Sequence, residues 1–158
     1  MEPTKPLPHR SNKPTRIIVV DEHRIVRACL RRLLEAEPDM EVIAEAATGQ
    51  EVLSQAQELL PEIVIMDVSM PELNGIEATR QLLSISPWVK VIALSMHADS
   101  QLVLNMLRSG ASGYLLKDCS QEELVGAIRT VLNKENLLKS GDLGCRDQRF
   151  LNQWSGYN

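Results

Sequence analysis

Five times between Arg16 and Asn133, a short apolar run gives way to apolar residues at helical spacing. The runs lie at 17–20, 41–47, 63–66, 90–95 and 113–116. The helix predicted over 25–37 carries Val26, Leu30, Leu33 and Leu34. Thr48 with Glu51 forms a capping box before a stripe of Val52, Ala56, Leu59 and Leu60, and Asn74 with Glu77 repeats a similar start before a helix ending near 85. A fourth helix over 99–109 is closed by Gly110, and Ser120 with Glu123 caps a fifth that carries Leu124, Ile128, Val131 and Leu132. Strands that each need a crossover helix pair in parallel, so the pattern predicts a doubly wound α/β fold with a five-stranded parallel sheet.

The centre of that pattern is the stretch 63–75, IVIMDVSMPELNG. Four apolar residues in a row fit a strand buried on both faces, and Asp67 then stands at its carboxyl end, where open α/β sheets place ligands. The other strand ends supply Asp21 and Glu22, Ser95, and Lys117. With strand order 2-1-3-4-5, flavodoxin-like, the first and third strands are neighbours and three carboxylates meet in one crevice.

Two carboxylates about 4 Å apart repel by roughly 4 kcal/mol at an effective dielectric of about 20. A divalent cation relieves that repulsion, and a site of few protein oxygens suits Mg2+, which keeps several of its waters. Asp21 and Asp67 are the expected direct ligands with the Ser69 carbonyl as a third, and Glu22 is expected to orient a metal-bound water. A carboxylate beside Mg2+ and an ammonium group can attack phosphorus to form an aspartyl phosphate, with Lys117 and the Ser95 hydroxyl holding the phosphoryl oxygens. A dehalogenase-type phosphatase wants a second Asp two residues after the nucleophile, where this chain has Ser69. A flavodoxin-like flavin site wants a hydroxyl- and Gly-rich loop after the first strand, where this chain has Asp-Glu-His-Arg. His23 and His97 have no companions at ligand spacing and read as loop residues.

These residues carry a resemblance. Residues 16 to about 133 resemble the receiver domain of two-component response regulators, through Asp21-Glu22, Asp67 with Met70-Pro71 and Gly75, Ser95, and Tyr114 three residues before Lys117. Asp21-Glu22-His23, Ser95-Met96-His97 and GASGYLLKD at 110–118 further resemble the NarL/FixJ subfamily. The resemblance implies a CheY-like receiver fold with Asp67 as phosphoacceptor and Asp21 and Glu22 as metal-binding acids. It makes Ser95 the switch hydroxyl, Tyr114 the aromatic that rotates inward, and Lys117 the phosphate partner. It implies a phosphoprotein rather than an enzyme, one that accepts a phosphoryl group and slowly hydrolyses it, served by a sensor histidine kinase or phosphotransfer protein. It also implies phosphorylation-linked homodimers through the first and fifth helices.

The first helix is more apolar than one stripe requires, because Ile25, Ala28 and Cys29 lie beside the core set. Ordinary packing and a partner surface both account for this.

Of the 158 residues, 1–15 hold four of the eight prolines and read as a flexible leader. The receiver spans 16–133, and 134–158 reads as a disordered tail or the remnant of a truncated output region. Phe150 and Trp154 stand there at helical spacing, which also fits a docking segment. The tail is too short for the LuxR-type helix-turn-helix that usually follows such receivers. Two readings result: a stand-alone switch acting by protein contact, and the receiver portion of a DNA-binding transcription regulator.

The net charge of −4 becomes −7 over 16–133, since both ends are basic, and an acidic body is a poor surface for a phosphate backbone. No nucleic-acid binding by this chain is expected. Three scattered cysteines, no apolar run of membrane-spanning length and no signal-peptide core predict a cytoplasmic protein without membrane contact.

Overall fold

The computed structural model describes residues 13–70, 72–97 and 99–140. The elements alternate as β1 (Thr15–Val20), α1 (Arg24–Glu35), β2 (Met40–Ala46), α2 (Gly49–Leu59), β3 (Ile63–Asp67), α3 (Gly75–Ile85), β4 (Lys90–Ser95), α4 (Ser100–Arg108), β5 (Gly113–Leu116) and α5 (Gln121–Ser140). All neighbouring strands are parallel, and the order is β2-β1-β3-β4-β5. β3 is buried along its whole length, and Ile17 to Val20 beside it are equally sealed, as strands covered by helices on both faces must be. Between β1 and β2 the register slips, Ile17 pairing with Val42 but Ile18 with Ala44, so β2 carries a bulge at Ile43.

The expected start signals are made. Glu51 N–H donates to Thr48 Oγ1 at 3.1 Å, Glu77 N–H to Asn74 Oδ1 at 3.0 Å, and Glu123 N–H to Ser120 Oγ at 3.1 Å. Gly110, at φ 108°, ends α4 with the two backbone bonds of a Schellman cap, Gly110 N–H to Leu107 O and Ala111 N–H to Met106 O, both at 3.0 Å.

Four details differ from the sequence reading. Thr15, expected in the leader, opens β1 and is buried, its N–H donating to Asp39 O at 2.8 Å. Residues 1–12 lie outside the described residues. Leu60 is not part of the α2 stripe but the left-handed residue that ends the helix, at φ 52°. Ile25, Ala28 and Cys29 do not pack inward: Ile25 is 85% exposed and the other two are exposed as well, while Leu30 and Leu34 face the core. Finally, α5 runs to Ser140, across the boundary expected at 133. The aromatic segment with Phe150 and Trp154 lies outside the described residues.

Candidate functional site

Parallel register brings the strand ends together. Val20 pairs with Met66 across β1 and β3, so Asp21 and Asp67 leave neighbouring strands at the same level. Ser95 ends β4 opposite Leu116, and Lys117 N–H donates to Ser95 O at 2.8 Å, which places the lysine at the same edge. The Lys117 ammonium bridges the two acids, with Nζ 2.8 Å from Asp21 Oδ2 and 3.2 Å from Asp67 Oδ1. Both carboxylate residues are 1% exposed, and the lysine side chain 13%.

Each acid also closes a tight turn. Asp21 Oδ1 accepts His23 N–H at 2.8 Å and faces His23 Nδ1 at 3.1 Å, and Asp67 Oδ1 accepts Ser69 N–H at 3.1 Å. Burial pushes the Asp67 carboxyl above its ordinary range, and the Asp21 charge adds to this against the opposing pull of Lys117. For Lys117, burial favours the neutral amine, but the hydrogen bond to Asp21 and the charge of Asp67 outweigh it and raise the pKa. The loop after Asp67 approaches it so closely that a Cβ on Gly75 would collide with the Asp67 carbonyl oxygen, which reserves that position for glycine.

Asp67 Oδ2 is buried without a hydrogen-bond partner. An orphaned carboxylate oxygen between acid-bearing strand ends fits a hard cation taken up through oxygen. Glu22 is exposed, its carboxylate 3.9 Å from His23 Nε2, and no group of three His, Cys, Asp or Glu among the described residues is gathered closely enough to hold an ion. The donor set therefore suits a cation that shares its shell with water, and Asp21, Asp67 and the Ser69 carbonyl are the groups that would hold it.

Ser95 and Tyr114 form a second connected set. Ser95 is fully buried and its Oγ accepts His97 N–H at 3.1 Å, while Tyr114 Oη donates to His97 O at 2.9 Å. Burial raises the Tyr114 pKa, with the Ser95 hydroxyl pulling the other way. The ring, expected to rotate inward, is already buried here. In the segment after Asp67, Met70 is buried, and Pro71 lies outside the described residues.

The contact of Arg27 with the acid loop was not foreseen from the sequence. Arg27 Nη1 donates to the Asp21 carbonyl at 2.7 Å, although its place in α1 gives it the look of an ordinary surface arginine. Its position among Val26, Leu30 and Leu34 on a core-facing helix was the available signal.

The open α/β sheet carries an acid pair and a lysine together at its carboxyl edge. Residues 17–129 match the response regulator receiver domain family, and the chain belongs to it. LnrK, a transcriptional regulatory protein of Bacillus subtilis (strain 168), is 47% identical over 116 residues, which are 73% of this chain and 53% of that protein. The transcriptional regulatory protein DegU of Brevibacillus brevis is 39% identical over 115 residues, 73% of this chain and 49% of that one. Among solved structures, a LuxR-family two-component response regulator from Aurantimonas sp. SI85-9A1 matches at 40% identity with a TM-score of 0.74, covering 77% of this chain and 86% of that one. The receiver domain of the putative regulator NarL from Mycobacterium tuberculosis gives 28% identity and a TM-score of 0.73, covering 77% and 98%. The chain thus spans about half the length of the curated relatives it matches. The receiver family is not one of known catalytic enzymes, and its members generally bind Mg2+ in the acidic pocket. Among the described residues no helix is long and apolar enough to cross a membrane.

Proposed function

We propose that this chain is a phosphorylation switch that takes a phosphoryl group onto Asp67 from a sensor histidine kinase or phosphotransfer protein in the cytoplasm. The single observation that carries the reading is the Asp21–Lys117–Asp67 bridge, two buried carboxylates on one ammonium with Asp67 Oδ2 left without a partner. An Asp67 carboxylate oxygen attacks phosphorus, the phosphorus–donor bond breaks, and its electron pair leaves with the donor group. Asp21, Asp67 and the Ser69 carbonyl would hold Mg2+, with Glu22 toward a metal-bound water, and the ion would supply charge neutralisation for the incoming phosphoryl oxygens. Lys117 holds the two acids before transfer and faces a phosphoryl oxygen afterwards; the Ser95 hydroxyl takes another. Slow attack by water on the acyl phosphate resets the switch.

The new group carries about −1.5 to −2 charges at pH 7 in place of the carboxylate's single charge, and it draws on Ser95, which is linked through the His97 backbone to Tyr114. Output then follows through protein contact. The exposed stripe of α1, Ile25, Ala28 and Cys29, supports pairing of two phosphorylated copies through α1 and α5.

A second reading makes this chain the receiver part of a DNA-binding regulator. It is favoured by relatives named transcriptional regulatory proteins, of which the chain covers about half.

Incubation with acetyl phosphate and Mg2+ tests the switch by intact mass. A phosphoryl-sized gain that needs Mg2+ and is absent in Asp67→Asn is expected. A gain that persists in that variant contradicts the assignment.

A further inference from the structure

The Arg27 side chain is 15% exposed and reaches back from the first turns of α1 to the loop that carries the acid pair. Its Nη1 donates to the Asp21 carbonyl at 2.7 Å, while its Nε is held by Glu45 Oε1 of β2 at 3.2 Å. Glu45 is itself fixed: its Oε2 accepts Arg31 Nε at 2.7 Å, and its backbone carbonyl accepts Gln55 Nε2 of α2 at 2.9 Å. Arg31 donates further to Val42 O at 3.2 Å. The Glu45 carboxyl sits below its ordinary range because of Arg31 first and Arg27 second, so it stays charged as an anchor.

The Asp21 peptide is therefore fixed on both sides. Its N–H donates to Ala46 O at 3.0 Å in the sheet, and its carbonyl is held by the guanidinium. From that fixed backbone the side chain reaches Lys117, with Oδ2 2.8 Å from Nζ.

We propose that Arg27 is a positioning residue for the metal-binding acids, braced by Glu45 so that Asp21 presents its carboxylate at the level of Asp67. It touches neither the cation nor the phosphoryl group. The inference rests on the reading of Asp21 as a metal acid given above. Groups that orient a metal ligand from behind influence affinity by roughly 10- to 100-fold, and a backbone carbonyl latch is expected near the lower end.

The test is an amide-shift titration of the full chain with MgCl2, read at Glu22 and His23, together with thermal melts. Arg27→Gln should raise the Mg2+ half-saturation point roughly tenfold. Arg31→Gln, which loosens Glu45 but leaves both Arg27 contacts in place, should lower the melting temperature comparably and weaken Mg2+ uptake far less than Arg27→Gln. Arg27→Lys, which can reach the carbonyl but not hold Glu45 at the same time, should fall between and serves if the glutamine variant fails to fold. Equal Mg2+ affinity in wild type and both Arg27 variants overturns the proposal, as does equal weakening in Arg31→Gln, which makes the brace purely structural. A wild-type chain that takes up no Mg2+ overturns the metal-site reading together with this one.

Discussion

The Lys117 ammonium sits between two carboxylates that would otherwise repel each other in a sealed crevice, and this has a consequence for stability. Burial raises the Asp67 pKa, so the folded chain holds that proton more tightly than the unfolded one. The stability from this group is fully present below the ordinary aspartate value of about 3.9 and is lost as pH rises through the raised value. At neutral pH, Asp67→Asn should therefore be more stable than wild type by on the order of 1 kcal/mol, and thermal melts at decreasing pH should show the advantage vanish. Lys117, also raised, contributes stability below about pH 10.4 that is lost as pH climbs through its folded value, so wild type should weaken at strongly alkaline pH. Asp21, Asp67, Ser95 and Lys117 were legible in the sequence because each is a polar residue that ends an apolar run. Arg27 was not, because its partners are a backbone carbonyl and a glutamate 18 positions away. Tyr114 was legible only through the family resemblance, and its hydrogen bond to the His97 carbonyl comes from packing between β4 and β5.

Single elements show where pattern and packing part. Apolar periodicity finds a helix but does not say how many of its faces are covered, so Ile25, Ala28 and Cys29 read equally well as core until the fold leaves them in solvent. If that stripe is the dimer surface, Ile25→Glu should keep phosphoryl uptake and abolish a phosphorylation-linked shift in size-exclusion elution. A variant that still shifts directs attention to another face. In α5, Gly126 is exposed and a Cβ there would meet nothing within 4 Å. No local fit requires a glycine, so Gly126→Ala should stabilise the chain by about 0.5–1 kcal/mol through helix propensity alone, measurable by denaturant unfolding. Helix starts were legible from Thr48, Asn74 and Ser120 because a cap is a local bond, whereas the end of α5 had no comparable signal.

At the scale of the whole molecule, one topological fact makes the site. Strands β1 and β3 are neighbours although β2 lies between them in sequence, so chain segments 46 residues apart deliver Asp21 and Asp67 to one crevice. Alternating strands and helices predict a parallel sheet but not its strand order; 2-1-3-4-5 is the flavodoxin-like case, and it is the order found. Shifting a switch from about 1:99 to 99:1 requires roughly 5.5 kcal/mol of difference between its states. A phosphoryl group bonded by Lys117 and Ser95 can supply a large part of that through charge-assisted hydrogen bonds. Where the phosphoryl group goes decides what the crevice is for. Borohydride reduces an acyl phosphate to an alcohol, so trapping the chain after acetyl phosphate treatment and sequencing its peptides by mass spectrometry locates the modified carboxyl. Conversion to homoserine at position 67 alone, and only when Mg2+ is present, is the predicted result; conversion at Asp21, Glu22 or another acid, or a folded chain with no reducible acyl phosphate, contradicts it.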